Sequence, residues 1–298
     1  MGIYKAEAIV LRSRKLNEAD NLITLFSREH GKIHAVAKGV RKPKSRKRGG
    51  VQLFTHGKFL LYAGKSLDHI TQCESKNSFA KLVGDLELFA HASYLAEIVD
   101  GLLAENEPQE EVYLLLLTSL HLLEHHNPEL LARAFEVRLA NLLGYSPQLT
   151  ECVHCGKTMP VKQIKFSAAV GGVLCPACWG QDSFASRCSL GTLGALQQLQ
   201  RMDLRRLGVL KLTPEIRREM EKILRLFLSY RLEKRLKALD FLQMISEARD
   251  GYTTGSLAAT KDDVFLEQGK EAKSWNEDAA NEVAERQDTL GRNVTAEN

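Results

Sequence analysis

Two matched cysteine pairs, CVHC at 152–155 and CPAC at 175–178, are the residues of this chain whose types and spacing point most directly to chemistry. The pattern C-x2-C-x19-C-x2-C falls in the range of a four-thiolate zinc site. Two residues between cysteines let a tight turn aim both sulfurs at one ion, and two such turns complete a tetrahedron. Cys152, Cys155, Cys175 and Cys178 are therefore the expected ligands of one Zn2+ per chain. Its role would be structural, because four protein ligands leave no position for water or substrate. His154 lies between ligands and would point elsewhere, while Gly156 and Pro176 suit tight backbone. A disulfide fits an oxidising compartment rather than the cytoplasm. A thioredoxin-like dithiol would need a single C-x2-C at a helix start, not two matched pairs. Cys73 and Cys188 stand alone and read as ordinary buried or half-buried thiols.

A second constellation is cationic. AVAKGVRKPKSRKRGG, residues 35 to 50, carries seven Lys or Arg between Lys38 and Arg48. Residues 1–80 hold 16 Lys/Arg against 6 Asp/Glu, residues 81–249 hold 20 against 20, and residues 250–298 hold 5 against 11. The positive charge thus belongs to the N-terminal segment, which suggests a polyanion partner there and a separate acidic tail. A run of like charge is more often a solvated face, so the loop needs a scaffold before it reads as a grip. Arg12, Arg14 and Lys15 lie in the same segment and, with Lys38, Arg41, Lys42, Lys44, Arg46, Lys47 and Arg48, form the expected nucleic-acid-binding set. Arg28, Lys32 and Lys58 add further charge.

Enzymatic motifs are scarce. AGKS at 63–66 resembles the end of a phosphate-binding loop, but the glycine such a loop needs at position 59 is Phe59. No H-E-x-x-H, G-x-S-x-G or Gly-rich dinucleotide fingerprint occurs. His121, His125 and His126 end an apolar helical run, where capping or solvation is the simpler role. The chain reads as a binding protein rather than an enzyme. It has no run of roughly 18 apolar residues and no secretory leader, so no membrane span and a cytoplasmic location are expected.

The elements that must position these residues follow an α+β plan. Five short strands, at about 3–13, 20–27, 31–38, 52–63 and 67–75, favour a small closed barrel of OB type, since closure removes exposed edges. Such barrels bind single strands by joining a cationic groove to aromatic platforms, and Tyr4, Phe26, Phe54, Phe59 and Tyr62 are the candidates for stacking or core. From Ser78 the period becomes helical, with Phe79, Leu82, Leu86 and Phe89 on one stripe. An apolar helix at about 109–125 is expected at the centre of the core. Asn127 caps a third helix, with Pro128 at its first position and Gly144 as its stop. Helices resume at about 189–202 and 213–247, the last with Ile216, Met220, Ile223, Phe227 and Tyr230 inward and a basic outer face. The expected organisation is a barrel over 1–77, an all-α domain over 78–252 with the zinc insertion at about 145–190, and a disordered acidic tail over 253–298.

The stretches EADNLITLFSREHGKIHAVAKGVRK, FEVRLANLLGYSPQLTECVHCG and GGVLCPACW, in this order and spacing, closely resemble the RecO family of bacterial recombination mediators. The likeness runs from residue 1 to about 250. It implies an OB barrel and a helical domain, in many members with a four-cysteine zinc site. It further implies binding of single- and double-stranded DNA, annealing of complementary strands, and loading of RecA, with RecR, onto strands coated by single-stranded-DNA-binding protein (SSB). A nucleoid-associated place in a bacterial cytoplasm goes with that role. The family's helical domain takes the acidic, apolar C-terminal tip of SSB; Arg133, just before FEVRL, matches the helix implicated, with Arg138 beside it. The bland reading leaves both arginines solvated. A zinc-containing RNA-binding or ribosome-associated module is the competing function, and a scaffold kept soluble by its basic loop is a third.

Overall fold

The structure is a computed structural model describing residues 2–159, 163–232 and 236–254, with side chains to Ile245. The first five strands are β1 (Ile3–Lys15), β2 (Asn21–Ser27), β3 (Gly31–Ala37), β4 (His56–Tyr62) and β5 (Asp68–Asn77). They close into a barrel in the order β1-β2-β3-β5-β4. Closure depends on the length of β1. Its first half, Ile3 to Ile9, pairs with β4 and its second, Ala8 to Lys15, with β2. A bulge between Val10 and Arg12 bends it at the changeover. β3 pairs parallel to β5 through Ala35↔Asp68 and Val36↔His69, the strand order and crossover of an OB barrel. Alternate residues fill its centre: Ala6, Ala8 and Val10 from β1, Ile23 and Leu25 from β2, Ile33, Ala35 and Ala37 from β3, and Phe59 and Leu61 from β4. Val40 and Val51, from the long β3–β4 connection, enter the same core.

The helical elements are α1 (Ala80–Gly84), α2 (Leu86–Leu102), α3 (Glu110–Leu122), α4 (Pro128–Leu142), α5 (Leu190–Arg201), α6 (Pro214–Ser229) and α7 (Lys237–Thr254). A small sheet, β6 (Ile164–Ser167), β7 (Gly172–Leu174) and β8 (Ser186–Cys188), in the order β7-β6-β8, interrupts them. Among the described residues the chain divides into two compact units: the barrel with the end of α7 from Ile245, and Arg28–Lys32 with the helical elements from Phe79 to Met244.

Several expectations need correction. The stripe from Phe79 to Phe89 is broken, because Asp85 is extended and its side chain accepts the Leu88 N–H to start α2 afresh. Leu86 is exposed as a result. The centre of the helical unit is α4, not α3. Every residue from Leu130 to Val137 is buried, and α4 packs on α2, α3, α5 and α6. Ala132, Ala134 and Ala140 let neighbours approach it from several sides, whereas Leu114 on α3 faces solvent. The 213–247 helix is two helices. Met220, Ile223 and Phe227 point inward as expected, but Tyr230, past the end of α6, is exposed. The outer face of α6 interleaves exposed Glu215 and Glu221 with Arg218 and Lys222, so it is mixed rather than basic. α7 continues to Thr254, two residues past the expected end of the helical domain at 252; residues 255–298 lie outside the described residues.

Charge explains why Arg28–Lys32 belong with the helices. From residue 82 to residue 132 there is no Lys or Arg, and ten Asp or Glu. Two of these acids take cations on either side of the β2–β3 turn: Asp100 pairs with Lys32, at the start of β3, at 3.4 Å, and Glu110 pairs with Arg28, just after β2. Gly31, at φ +69°, is held there because a Cβ would strike the backbone of Glu107.

Candidate nucleic-acid interface and metal centre

The basic loop is a shaped connection rather than a slack one. It leaves β3 at Ala37 and returns through a 3-10 turn at Gly49–Val51. At its first end, the Gly39 N–H donates to Asp20 Oδ1 at 2.6 Å, the Arg41 N–H donates to the Ala19 carbonyl at 3.0 Å, and Arg41 Nη1 donates to the Asn17 carbonyl at 3.0 Å. At its second end, Lys47 Nζ donates to the Ile70 carbonyl at 3.1 Å. Gly50 sits so close to Cys73 that a Cβ there would meet the sulfur. Between these ends Lys42, Lys44, Arg46 and Arg48 are exposed, as are Lys38 and Arg41 beside them; Lys47 is half-buried. Val40 and Val51 tie this connection into the barrel core. The loop's cations stand in solvent because its apolar residues are fastened underneath.

Seven of the expected DNA residues are thereby brought together, and Lys15 is exposed just before the β1–β2 turn that fastens the loop. Arg12 and Arg14 are elsewhere, half-buried on the outer face of β1 across from Thr24 and Leu22. Arg28 and Lys32 are committed to Glu110 and Asp100, and Lys58 is flanked across the sheet by Glu7 and Glu74. The aromatic candidates mostly drop out. Phe26, Phe54 and Phe59 are fully buried, and Tyr4 is half-buried with its hydroxyl donating to Asp68. Only Tyr62, at 40% exposed, presents a ring among these five. On the outward faces of β2 and β3, Thr24, Phe26, Lys32 and Val36 are buried, and Leu22 and His34 are half-buried. OB barrels commonly bind oligonucleotides on that face; here the cationic β3–β4 loop is the open feature.

The four cysteines converge. Their sulfurs all lie within 4.8 Å of one another, with Cys152, Cys175 and Cys178 buried and Cys155 exposed. Each pair sits on a tight turn: the Gly156 N–H donates to the Cys152 carbonyl at 2.9 Å, with Gly156 at φ +71°, and the Cys178 N–H donates to the Cys175 carbonyl at 2.9 Å. The Val153 N–H on the Val173 carbonyl, at 2.9 Å, ties the first turn to β7, and Pro176 opens a 3-10 turn after Cys175. Burial works against a charged Cys152 thiolate, yet N–H groups of Cys175, Cys155 and His154 outweigh it and hold the thiol's pKa below its usual value. The donor set fits a thiophilic ion. Zn–S bonds of about 2.3 Å imply tetrahedral sulfur–sulfur edges of about 3.8 Å, and Cys155 Sγ lies 3.7 Å from Cys175 Sγ. Cys73 and Cys188 stay apart, half-buried and buried respectively.

Arg133 and Arg138, neighbours in sequence, are not one site. Arg133 is 7% exposed, lies 5.8 Å over the Tyr94 ring and pairs with fully buried Glu136 at 2.9 Å. The solvated reading of Arg133 is therefore wrong. Arg138 is half-buried and donates to the Met202 carbonyl. Sequence reasoning missed a cleft of about 260 Å³ between α4 and the segment before α6, lined by apolar Leu130, Leu207 and Leu210 and by His126, Lys211 and Arg217. Its residues come from three separated segments, so no local spacing signals it. Among the described residues no helix is long and apolar enough to cross a membrane.

Comparison with known families places this geometry. The family described as recombination protein O, N terminal, matches residues 1–79, and recombination protein O, C terminal, matches residues 83–240. The chain is 44% identical over 251 residues to the DNA repair protein RecO of Pelotomaculum thermopropionicum, covering 84% of this chain and 98% of that one. It is 41% identical over 253 residues to the DNA repair protein RecO of Symbiobacterium thermophilum, covering 84% and 100%. The counterpart from Desulforamulus reducens is 38% identical over 254 residues, covering 85% and 99%.

Proposed function

The chain belongs to the RecO family, with its role in DNA repair and recombination, and from that premise we propose that it is a non-enzymatic mediator in the bacterial cytoplasm that binds and anneals DNA. The observation that carries this reading is the fastened basic loop, with Lys38, Arg41, Lys42, Lys44, Arg46 and Arg48 held in solvent. Annealing forms no covalent bond. It requires two polyanions to approach, and a cationic ledge lowers their repulsion by replacing condensed counterions. Phosphate contacts of this kind ignore base sequence, as pairing of arbitrary complementary strands requires. The scarcity of open aromatic rings on the barrel favours phosphate contact over base stacking as the main source of affinity. Single- and double-stranded DNA would then both bind, through Lys15 and the loop, with Arg12 and Arg14 as supporting charge.

Zn2+ is proposed for Cys152, Cys155, Cys175 and Cys178, where it would cross-link the two turns and so hold the small sheet; a closed thiolate sphere performs no reaction. For partners, the proposal is RecR, RecA indirectly, and the acidic, apolar C-terminal tip of SSB. The α4 face supports the last. Arg133 and Arg138 of that helix are already engaged by Glu136 and the Met202 carbonyl, so the cations offered to the tip are Lys211 and Arg217, which line the cleft beside Leu130 together with its apolar walls, a mixture suited to a side chain and a carboxylate together. The deciding experiment is strand annealing with complementary oligonucleotides, bare and SSB-coated. The mediator reading expects acceleration in both cases. A preference for structured RNA without annealing would favour the RNA-binding alternative, and no salt-sensitive affinity at all would favour a scaffold.

A further inference from the structure

One carboxylate stands where a phosphate-binding loop has least use for it. Asp20, at the end of the β1–β2 turn, sits at the root of the cationic loop, and Lys38 and Lys42 act on its charge. Its negative charge opposes any phosphate drawn to those lysines. The geometry shows what it does instead. Asn17 Oδ1 accepts the N–H groups of Ala19 at 3.0 Å and Asp20 at 2.8 Å, and Asn17 Nδ2 donates to Asp20 Oδ2 at 3.0 Å. That leaves Asp20 Oδ1 aimed at the loop, where it accepts the Gly39 N–H at 2.6 Å. Gly39 has φ +68°, a left-handed conformation that favours glycine, so the chain turns at the point where it is gripped. The Arg41 N–H on the Ala19 carbonyl completes a two-point clasp.

We propose that Asp20 is a positioning residue for nucleic-acid binding: by holding the Gly39 N–H it fixes the root of the 38–48 loop, so that the cations are displayed before DNA arrives. This rests on the DNA-binding reading above. Ordering the loop in the free protein removes that entropy from the binding step, and the benefit outweighs one unfavourable charge.

Two substitutions in the full chain separate the acceptor from the charge. Asp20→Ala removes both; Asp20→Asn keeps an oxygen for Gly39 and removes the charge. Binding of a labelled oligothymidylate across a salt series should show Asp20→Ala weaker by about tenfold, the order expected when the backbone of about one residue must be fixed on binding. Its salt slope should be unchanged, because the same phosphates are met. Asp20→Asn should bind as tightly as the parent or tighter. Hydrogen exchange at the Gly39 amide without DNA should be fast in the Ala variant and protected in the Asn variant. Binding by Asp20→Ala equal to the parent's, or Asp20→Asn as weak as Ala, would overturn the proposal. So would unchanged Gly39 exchange in the Ala variant. A parent protein with no salt-dependent affinity would sink the DNA reading and this inference with it, while the exchange data would still report whether the clasp exists.

Discussion

Cys175 and Glu136 represent two kinds of buried residue, one whose chemistry is local and one whose chemistry is made by packing. The cysteine pairs are readable from spacing because each ligand turn is only four residues long. Structural zinc in small sites is worth on the order of 10 kcal/mol of apparent binding energy at neutral pH. Cys175→Ser should therefore lose zinc and loosen the segment from about 145 to 190, visible as protease sensitivity there, while the barrel's DNA affinity largely persists. Zinc-free protein from a chelator-free purification would count against the site. Arg133 and Glu136 give no such sequence signal, since their burial comes from four helices meeting around α4. Burial pushes the Glu136 carboxyl up to about 7, with Arg133 and the Tyr94 hydroxyl pulling it back. In the unfolded chain it titrates near 4.5, so the unfolded state releases its proton first as pH rises. The stabilising contribution of the neutral acid is thus complete below about 4.5 and lost as pH rises through about 7. Relative to Glu136→Gln, which cannot ionise, the parent should lose on the order of 2 kcal/mol of unfolding free energy between pH 5 and 7.5. Parallel stability curves for the two proteins would contradict this.

At the scale of elements, local rules recovered what is local. All five barrel strands, the Asn127 cap with Pro128 and the helix starts near 189 and 213 stand within a few residues of expectation. What escaped was the break at Asp85, the central place of α4 and the anchoring of the basic loop. Each depends on partners distant in sequence, as Gly39 on Asp20 and Gly50 on Cys73 show. The loop's two roles can be separated by substitution. Arg41→Ala and Lys47→Ala each remove a hydrogen bond to a backbone carbonyl, and each should cost about 1 kcal/mol of stability. Lys42, Lys44, Arg46 and Arg48 are exposed, and changing them to Ala should stay within about 0.5 kcal/mol apiece. Chemical denaturation of the single variants tests the distinction, and equal losses at all six positions would refute it.

At the scale of the whole molecule, charge is divided along the chain. The first 80 residues carry a net +10, residues 82–132 a net −10 and residues 250–298 a net −6. The acidic helical stretch already engages Arg28 and Lys32. The tail, outside the described residues beyond Thr254, is tethered to a chain whose barrel is basic, and a tethered anion competes at appreciable effective concentration. Deleting 255–298 should tighten DNA binding at low salt, and equal affinities for the two lengths would make the tail a bystander. The most direct test of the phosphate-gripping loop is the salt dependence of single-strand affinity in the parent and in the variant with Lys42, Lys44, Arg46 and Arg48 replaced by Ala. The slope of log K against log salt concentration should flatten by about 0.7 for each phosphate that is no longer neutralised, with the folding transition nearly unmoved; an unchanged slope would mean that these four cations grip no phosphate.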